Sequence, residues 1–300
     1  MSQAGGLPAQ RSDAATPATS EPMQKQVALI AVDLDGTLLR SDGSLSPEGG
    51  DALAAAVGQG VRVIVTTTRN IDSVRRFAAE IGLTEPLICT NGAMILGSPD
   101  GPVWHRKLIP GPLAESLAAV ADAEGYSLIT TVGEVSYIRQ QAGQPLGEIQ
   151  PARWVVACNA EALAAGDPIR ILNYDLEGIP HLRRICESQF VGQAHVETYF
   201  RPDGSAKSLG VFAAGSDKGT ALRLVSKRLG IDHSQVMVIG DNPNDLPMFA
   251  CASIRVAMGN ATRDVKAAAT VVAPTNDDAG VAWAVRRYVL RGGAQDVQAR

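Results

Sequence analysis

The chain has 300 residues, 45% of them apolar and 19% charged, with a formal net charge of −4. That length supports one large or two modest domains with a buried core, and the charge gives no electrostatic case for nucleic acid or an anionic membrane as a partner. Cys89, Cys158, Cys186 and Cys251 form no C-x-x-C pair and sit in or beside apolar runs, the pattern of buried, reduced thiols in the cytoplasm; no run nears the roughly 20 apolar residues of a membrane helix.

Residues 1–25 are rich in Ala, Ser, Thr, Pro, Gly and Gln and lack the apolar stretch of a secretory signal, so they read as a disordered tail. Residues 27–32 form a β-rich apolar run that fits a strand buried on both faces. Ser46-Pro47-Glu48 then reads as a helix start, although Gly49-Gly50 weakens that helix. A second buried strand is expected at 61–65, a helix at 71–81 stopped near Gly82, and a short strand at 86–90. This β-α-β-α-β order is the signature of a parallel sheet with crossover helices. Between about 96 and 212 the texture changes. Short alternating segments such as 137–139 and 169–174 suggest an antiparallel sheet with helices on one face, and Trp104, Trp154 and Tyr137 read mainly as packing residues. The α/β grammar resumes with a helix at 218–229 closed by Gly230 and a strand at 236–239. A short helix at 244–251, a strand at 254–257, a helix at 262–269, a strand at 271–273 and a helix around 279–290 complete it. The expected architecture is a Rossmann-like parallel sheet with flanking helices, at 26–95 and 213–292, interrupted by an inserted α+β cap domain at 96–212.

The chemistry concentrates at the carboxyl ends of the expected strands, where open α/β sheets bind ligands. Asp33-Leu34-Asp35-Gly36-Thr37-Leu38 directly follows the first strand, and two acids this close need a cation or a shared proton. Gly36 could turn the chain and aim the two acids apart. Thr66-Thr67-Thr68-Arg69 ends the second strand with hydroxyls and N–H groups that suit an anion. Lys218 sits in the first turn of a helix, opposed to its dipole, a placement that calls for a nearby anion. Gly240-Asp241-Asn242-Pro243-Asn244-Asp245 puts oxygen ligands fit for a hard cation such as Mg²⁺ at another strand end. Taken singly, the last three motifs also suit a helix cap, a surface lysine and a plain loop. Jointly they supply what phosphoryl transfer needs: a nucleophile, cationic charge and donors around the phosphoryl oxygens.

With these motifs in this order, the chain resembles the haloacid dehalogenase superfamily of phosphohydrolases, in its Cof-like branch with a type II (IIB) cap. Thr90-Asn91-Gly92-Ala93, Met258-Gly259-Asn260-Ala261 and residues 276–282 add to the likeness, which spans about residues 27–290. The resemblance implies a Mg²⁺-dependent phosphatase acting on a small phosphorylated metabolite, a sugar phosphate or a phosphorylated cofactor, through an aspartyl phosphate. It implies Asp33 as nucleophile and Asp35 as general acid–base. Leu34, Thr67, Thr68, Lys218 and Asn244 would surround the phosphate, and Asn91 and Gly92 would line the substrate pocket. Asp33, Asp241 and the Asp35 carbonyl would hold the metal, with Asp245 behind them. Thr68 stands where the family usually has Gly, and residues 210–215 lack the family's usual acid. Rival readings are a phosphomutase or phosphotransferase of the same fold, a receiver-like regulator, and an inactive binding protein. A receiver needs neither the split acid pair nor the inserted domain, and the intact acids and lysine speak against an inactive chain.

Overall fold

The computed structural model describes residues 26–139, 154–201 and 204–290; the predicted tail at 1–25 lies outside the described residues. The chain begins with β1 (Leu29–Asp33), buried along its whole length. A tight turn at Leu34–Leu38 leads to α1 (Pro47–Gly58). Ser46 Oγ accepts the Gly49 N–H at 3.2 Å, and Pro47 occupies the first helical turn. The glycine pair does not break this helix, because it faces the core: a Cβ on Gly49 would lie 3.1 Å from Leu38. Next come β2 (Arg62–Thr66), α2 (Ile71–Ile81), β3 (Leu87–Cys89), β4 (Met94–Leu96), β5 (Val103–Arg106) and α3 (Gly111–Glu124). Then follow β6 (Leu128–Val132), β7 (Val135–Arg139), β8 (Trp154–Val156), β9 (Arg170–Asn173), α4 (Gly178–Ser188), β10 (Ala194–Phe200) and β11 (Ala206–Ala213). The last stretch is α5 (Lys218–Leu229), β12 (Val236–Gly240), α6 (Leu246–Phe249), β13 (Ile254–Ala257), α7 (Arg263–Ala268), β14 (Val271–Val272) and α8 (Gly280–Tyr288). The helix expected at 244–251 is divided into a 3-10 turn, Pro243–Asp245, and α6. Pro247, which has no N–H to donate, stands in the first turn of α6.

The strands form two sheets. The eight-stranded sheet runs β14-β13-β12-β1-β2-β3-β4-β5, parallel from β14 to β3 and antiparallel thereafter. The six-stranded sheet runs β10-β11-β9-β6-β7-β8 and is antiparallel except at β7–β8. One face of the smaller sheet packs Ile171, Leu209 and Val211 against Leu113 and Leu117 of α3 and Leu182 and Ile185 of α4. Its other face carries a separate apolar cluster of Ile129, Ile138 and Leu172, edged by Tyr174 and Tyr199. That face looks toward the carboxyl ends of β1 and β2, and this juxtaposition builds the site.

Two expectations need correction. Residues 96–106 were expected with the inserted sheet, yet β4 and β5 extend the eight-stranded one. Trp104 packs there against the larger core, with the Arg228 guanidinium 4.1 Å above its ring. Trp154, expected to pack, is 60% exposed on β8, because an edge strand buries little of its outer residues.

Candidate active site

The strand order places the site. From β1 the chain moves to β2 and β3 on one side, while β12, β13 and β14 lie on the other, so β1 and β12 flank a topological switch point. Register then aligns the chemistry: Val32 pairs with Ile239 and Asp33 with Thr66. Asp33, Thr67 and Asp241 therefore emerge together at one sheet edge. Lys218, from the first turn of α5, joins them and is 1% exposed. Its Nζ donates to Asp33 Oδ1 at 2.5 Å and to Asp245 Oδ1 at 2.6 Å. The anion that its dipole-opposed placement calls for is thus a pair of carboxylates.

Asp33, Asp241 and Asp245 are all buried, and each offers an oxygen within 4.8 Å of the others. Three carboxylates sharing one ammonium leave negative charge uncompensated. Burial, together with Asp245, Asp241 and Asp35, pushes Asp33 upward against the pull of Lys218. Burial, together with Asp245, pushes Asp241 up to about 7. Burial alone would lower Lys218, but Asp245 and Asp33 hold it above the ordinary lysine range. An all-oxygen, electron-rich cluster of this kind fits a hard divalent cation. The Asp245 oxygens are already engaged by Lys218 and by the Asp241 and Asn242 N–H groups at 2.9 and 3.1 Å, so this acid would support such a cation indirectly. Asp241 is steadied by Thr37 Oγ1 at 3.1 Å and Asn242 Nδ2 at 2.8 Å. Gly36, at φ +79°, lets the turn pass so close that a Cβ there would strike the Asp241 carboxylate.

The turn at Gly36 also separates the two early acids, as the sequence allowed. Asp35 is half exposed and takes a bidentate ion pair from Arg69, with Nε 2.8 Å from Oδ2 and Nη2 2.5 Å from Oδ1. Thr67 is fully buried, and its Oγ1 accepts the Arg69 N–H at 3.1 Å. Thr68 lines the cavity above Asp33, and the Leu34 side chain lies in the core, leaving only its backbone for an anion. Asn244 lines the same cavity. Thr90 and Asn91 are consecutive left-handed residues, at φ +51° and +53°, a strained pairing held by N–H bonds to the Arg69 and Thr67 carbonyls at 2.9 and 3.0 Å. Asn91 Nδ2 reaches across to Glu197 of β10 at 2.8 Å, and Gly92 packs on the Asp217 backbone.

The structure thus brings together Asp33, Asp35, Thr67, Thr68, Asn91, Lys218, Asp241, Asn244 and Asp245. Sequence reasoning passed over several partners. Thr37 and Asn242 sit inside quoted motifs and could have been read as carboxylate donors. Arg69 stands in the Thr66–Arg69 motif, but nothing in the sequence ties it to Asp35. Arg170, Glu197 and Tyr199 give no local signal, since a strand's alternation does not say which face meets a ligand.

A family model described as haloacid dehalogenase-like hydrolase matches residues 30–285. The phosphatase YwpJ of Bacillus subtilis is 29% identical over 288 residues, covering 87% of this chain and 99% of that one. The 5-amino-6-(5-phospho-D-ribitylamino)uracil phosphatase YcsE of the same organism is 30% identical over 265 residues, covering 88% and 96%. Among solved structures, TM0651 of Thermotoga maritima aligns with a TM-score of 0.76 at 25% identity, covering 87% of this chain and 97% of that one. The fold is shared at a TM-score of 0.74 and 22% identity with the subclass IIB sugar phosphatase BT4131, covering 87% and 99%. Among the described residues no helix is long and apolar enough to cross a membrane.

Proposed function

The chain belongs to the haloacid dehalogenase-like hydrolases, and we propose that it hydrolyses small phosphate monoesters, a sugar phosphate or a phosphorylated cofactor precursor, through an aspartyl phosphate on Asp33. One observation carries this reading: a buried Asp33, held by Lys218 at 2.5 Å beside Asp241, at the switch point of a parallel sheet. A carboxylate so held has one oxygen fixed and the other available for attack. The names of YcsE and of the sugar phosphatase BT4131 supply the two substrate classes.

In the first step an Asp33 oxygen bonds to phosphorus while the bond from phosphorus to the ester oxygen breaks. Asp35, at the cavity's edge, passes its proton to that departing oxygen. In the second step Asp35 takes a proton from water as the water oxygen attacks phosphorus. The bond to Asp33 then breaks, releasing inorganic phosphate and restoring both acids. Lys218, the Thr67 hydroxyl and nearby N–H groups donate to the phosphoryl oxygens, and Asn244 borders them. Arg69 holds Asp35 while it is ionised, both in the substrate-free protein and between steps, and must release it each time it takes up a proton. Asp33, Asp241 and the Asp35 carbonyl would hold Mg²⁺, which when bound offsets the negative charge of the phosphoryl group.

The six-stranded sheet with α3 and α4 would act as the cap that shields the first step from water. It joins the larger sheet through residues 107–110 and 214–217, adjacent segments tied by Lys107 Nζ donating to the Ala214 carbonyl at 2.7 Å. The unpaired cysteines suit the cytoplasm. The test is turnover of p-nitrophenyl phosphate and a panel of phosphate monoesters, with Mg²⁺ and then with EDTA. Asp33→Asn should abolish turnover with the circular dichroism spectrum intact. Near-normal turnover by that variant would show that another residue attacks phosphorus.

A further inference from the structure

The two sheets enclose two adjoining cavities. One, of about 290 Å³, sets Asp33, Asp35 and Asn244 beneath Tyr174 and Tyr199. The other, of about 380 Å³, lies beyond it between α2 and the smaller sheet, lined in part by Arg69, Arg76 and Phe77. Arg170 and Leu172 border both, so together the cavities form a cleft leading away from the reacting acids.

Charge along this cleft is unbalanced. Arg170 is 3% exposed. Its guanidinium donates to the Thr68 carbonyl at 2.8 Å and to the Thr131 hydroxyl at 3.2 Å, both neutral acceptors. Its Nε is buried with no acceptor among the described residues. Burial pulls Arg170 below the usual guanidinium range, and the groups that pull it back are the phenols of Tyr174 and Tyr199 and the Cys89 thiol, with no carboxylate among them. A buried cation without a counter-charge is strongly disfavoured unless an anion arrives to share the site. Arg76 stands farther along the cleft, stacked on Phe77 at 4.6 Å and in no ion pair among the described residues. The carboxylates that line the two cavities are already engaged: Asp33 by Lys218 at 2.5 Å, Asp35 by Arg69, Asp72 by Arg75 at 3.7 Å, and Glu197 by the Asn91 amide at 2.8 Å. The Tyr199 hydroxyl is also buried without a hydrogen-bond partner among the described residues.

We infer that the leaving group of the substrate carries a second anionic group, a carboxylate or a further phosphate, that passes Leu172 and is recognised by Arg170 and Arg76. This rests on the phosphatase reading and narrows it from phosphate monoesters in general to esters charged at both ends.

Matched substrates test it. Glucose 6-phosphate is compared with 6-phosphogluconate, which adds a carboxylate, and with glucose 1,6-bisphosphate, which adds a phosphate; p-nitrophenyl phosphate reports the chemistry itself. The wild-type kcat/KM should favour at least one doubly anionic ester by about 10–100-fold, the worth of a charge-assisted contact in a partly dry site. Arg170→Gln and Arg76→Gln should each pull that ratio toward one, and Arg170→Lys should restore part of it. A merely structural Arg170 would lower both esters together and leave the ratio standing. Arg76 is exposed on α2, so its variant keeps the test decisive if Arg170→Gln fails to fold. A wild-type ratio near one, or a ratio unmoved by Arg76→Gln and by every folded Arg170 variant, overturns the inference while phosphatase activity stands. No turnover of any ester, p-nitrophenyl phosphate included, removes the inference and the phosphatase reading together.

Discussion

The carboxyl edge of the eight-stranded sheet and the underside of the six-stranded sheet face each other across one cleft, and they handle charge in opposite ways. On the larger sheet each acid proposed to react or to hold the cation already has a partner: Asp33 has Lys218, Asp35 has Arg69, and Asp241 has Thr37 and Asn242. On the smaller sheet, among the described residues, Arg170 meets only neutral acceptors and the Tyr199 hydroxyl meets none. One surface is internally complete before substrate arrives, as preorganised chemistry requires. The other is completed by what binds, which is how a pocket selects among ligands.

The contrast can be broken by variants that act on the wrong surface. Asp35→Asn should slow hydrolysis of alkyl phosphates by about 10²–10⁴-fold, by a similar factor for singly and doubly anionic sugar esters, and by less for p-nitrophenyl phosphate, whose weakly basic leaving oxygen needs little protonation. A loss that differed strongly between sugar esters with equally basic leaving oxygens would mean that the larger sheet also selects substrate. The next effect concerns the acids themselves. With Asp241 pushed up to about 7, its contribution to stability in cation-free protein is present below the ordinary carboxyl range and lost as pH rises toward 7. A divalent cation compensates the ionised form, and below that pH it must displace a proton. Added Mg²⁺ should therefore raise the Tm more at about pH 8 than at about pH 5.5. An equal gain at both would remove Asp241 from the cation's shell. The smallest effect is expected across the cleft. Glu197→Gln weakens the charged bond to Asn91 and should lower kcat/KM by about threefold to tenfold. It should also return His195, which its hydrogen bond to Glu197 holds above the ordinary imidazole range, toward that range. An unmoved His195 titration in the NMR spectrum would show that Glu197 is not its partner in solution.

The same division governs what could be read from the residues. Lys218 was legible because a lysine in a helix's first turn asks for an anion, and Asp33 and Asp245 answer it. Asp241 was legible because glycine, acid and asparagine follow a strand that is apolar throughout. These signals are local: a strand end and its next turn carry the chemistry together. Arg170 lies 102 positions from its Thr68 partner, and its contact depends on how two sheets meet, which no window of sequence encodes. β5 misled for a related reason. Short runs broken by Gly97, Gly101 and Pro102 resemble the inserted segment in texture, and only their pairing with β4 assigns them to the larger sheet.

The insertion between β5 and α5 has a consequence for the timing of biosynthesis. Thr37 and Asp241 are 204 positions apart, and Asp33 and Lys218 are 185 apart. Contacts of such separation close late, because the loop entropy must be overcome before they can reward the chain. A nascent polypeptide that has left the ribosome only as far as β11 carries Asp33 without the lysine and the distant acid. Hydrolytic competence therefore requires that synthesis has passed Asp245 and that β12 has threaded back beside β1.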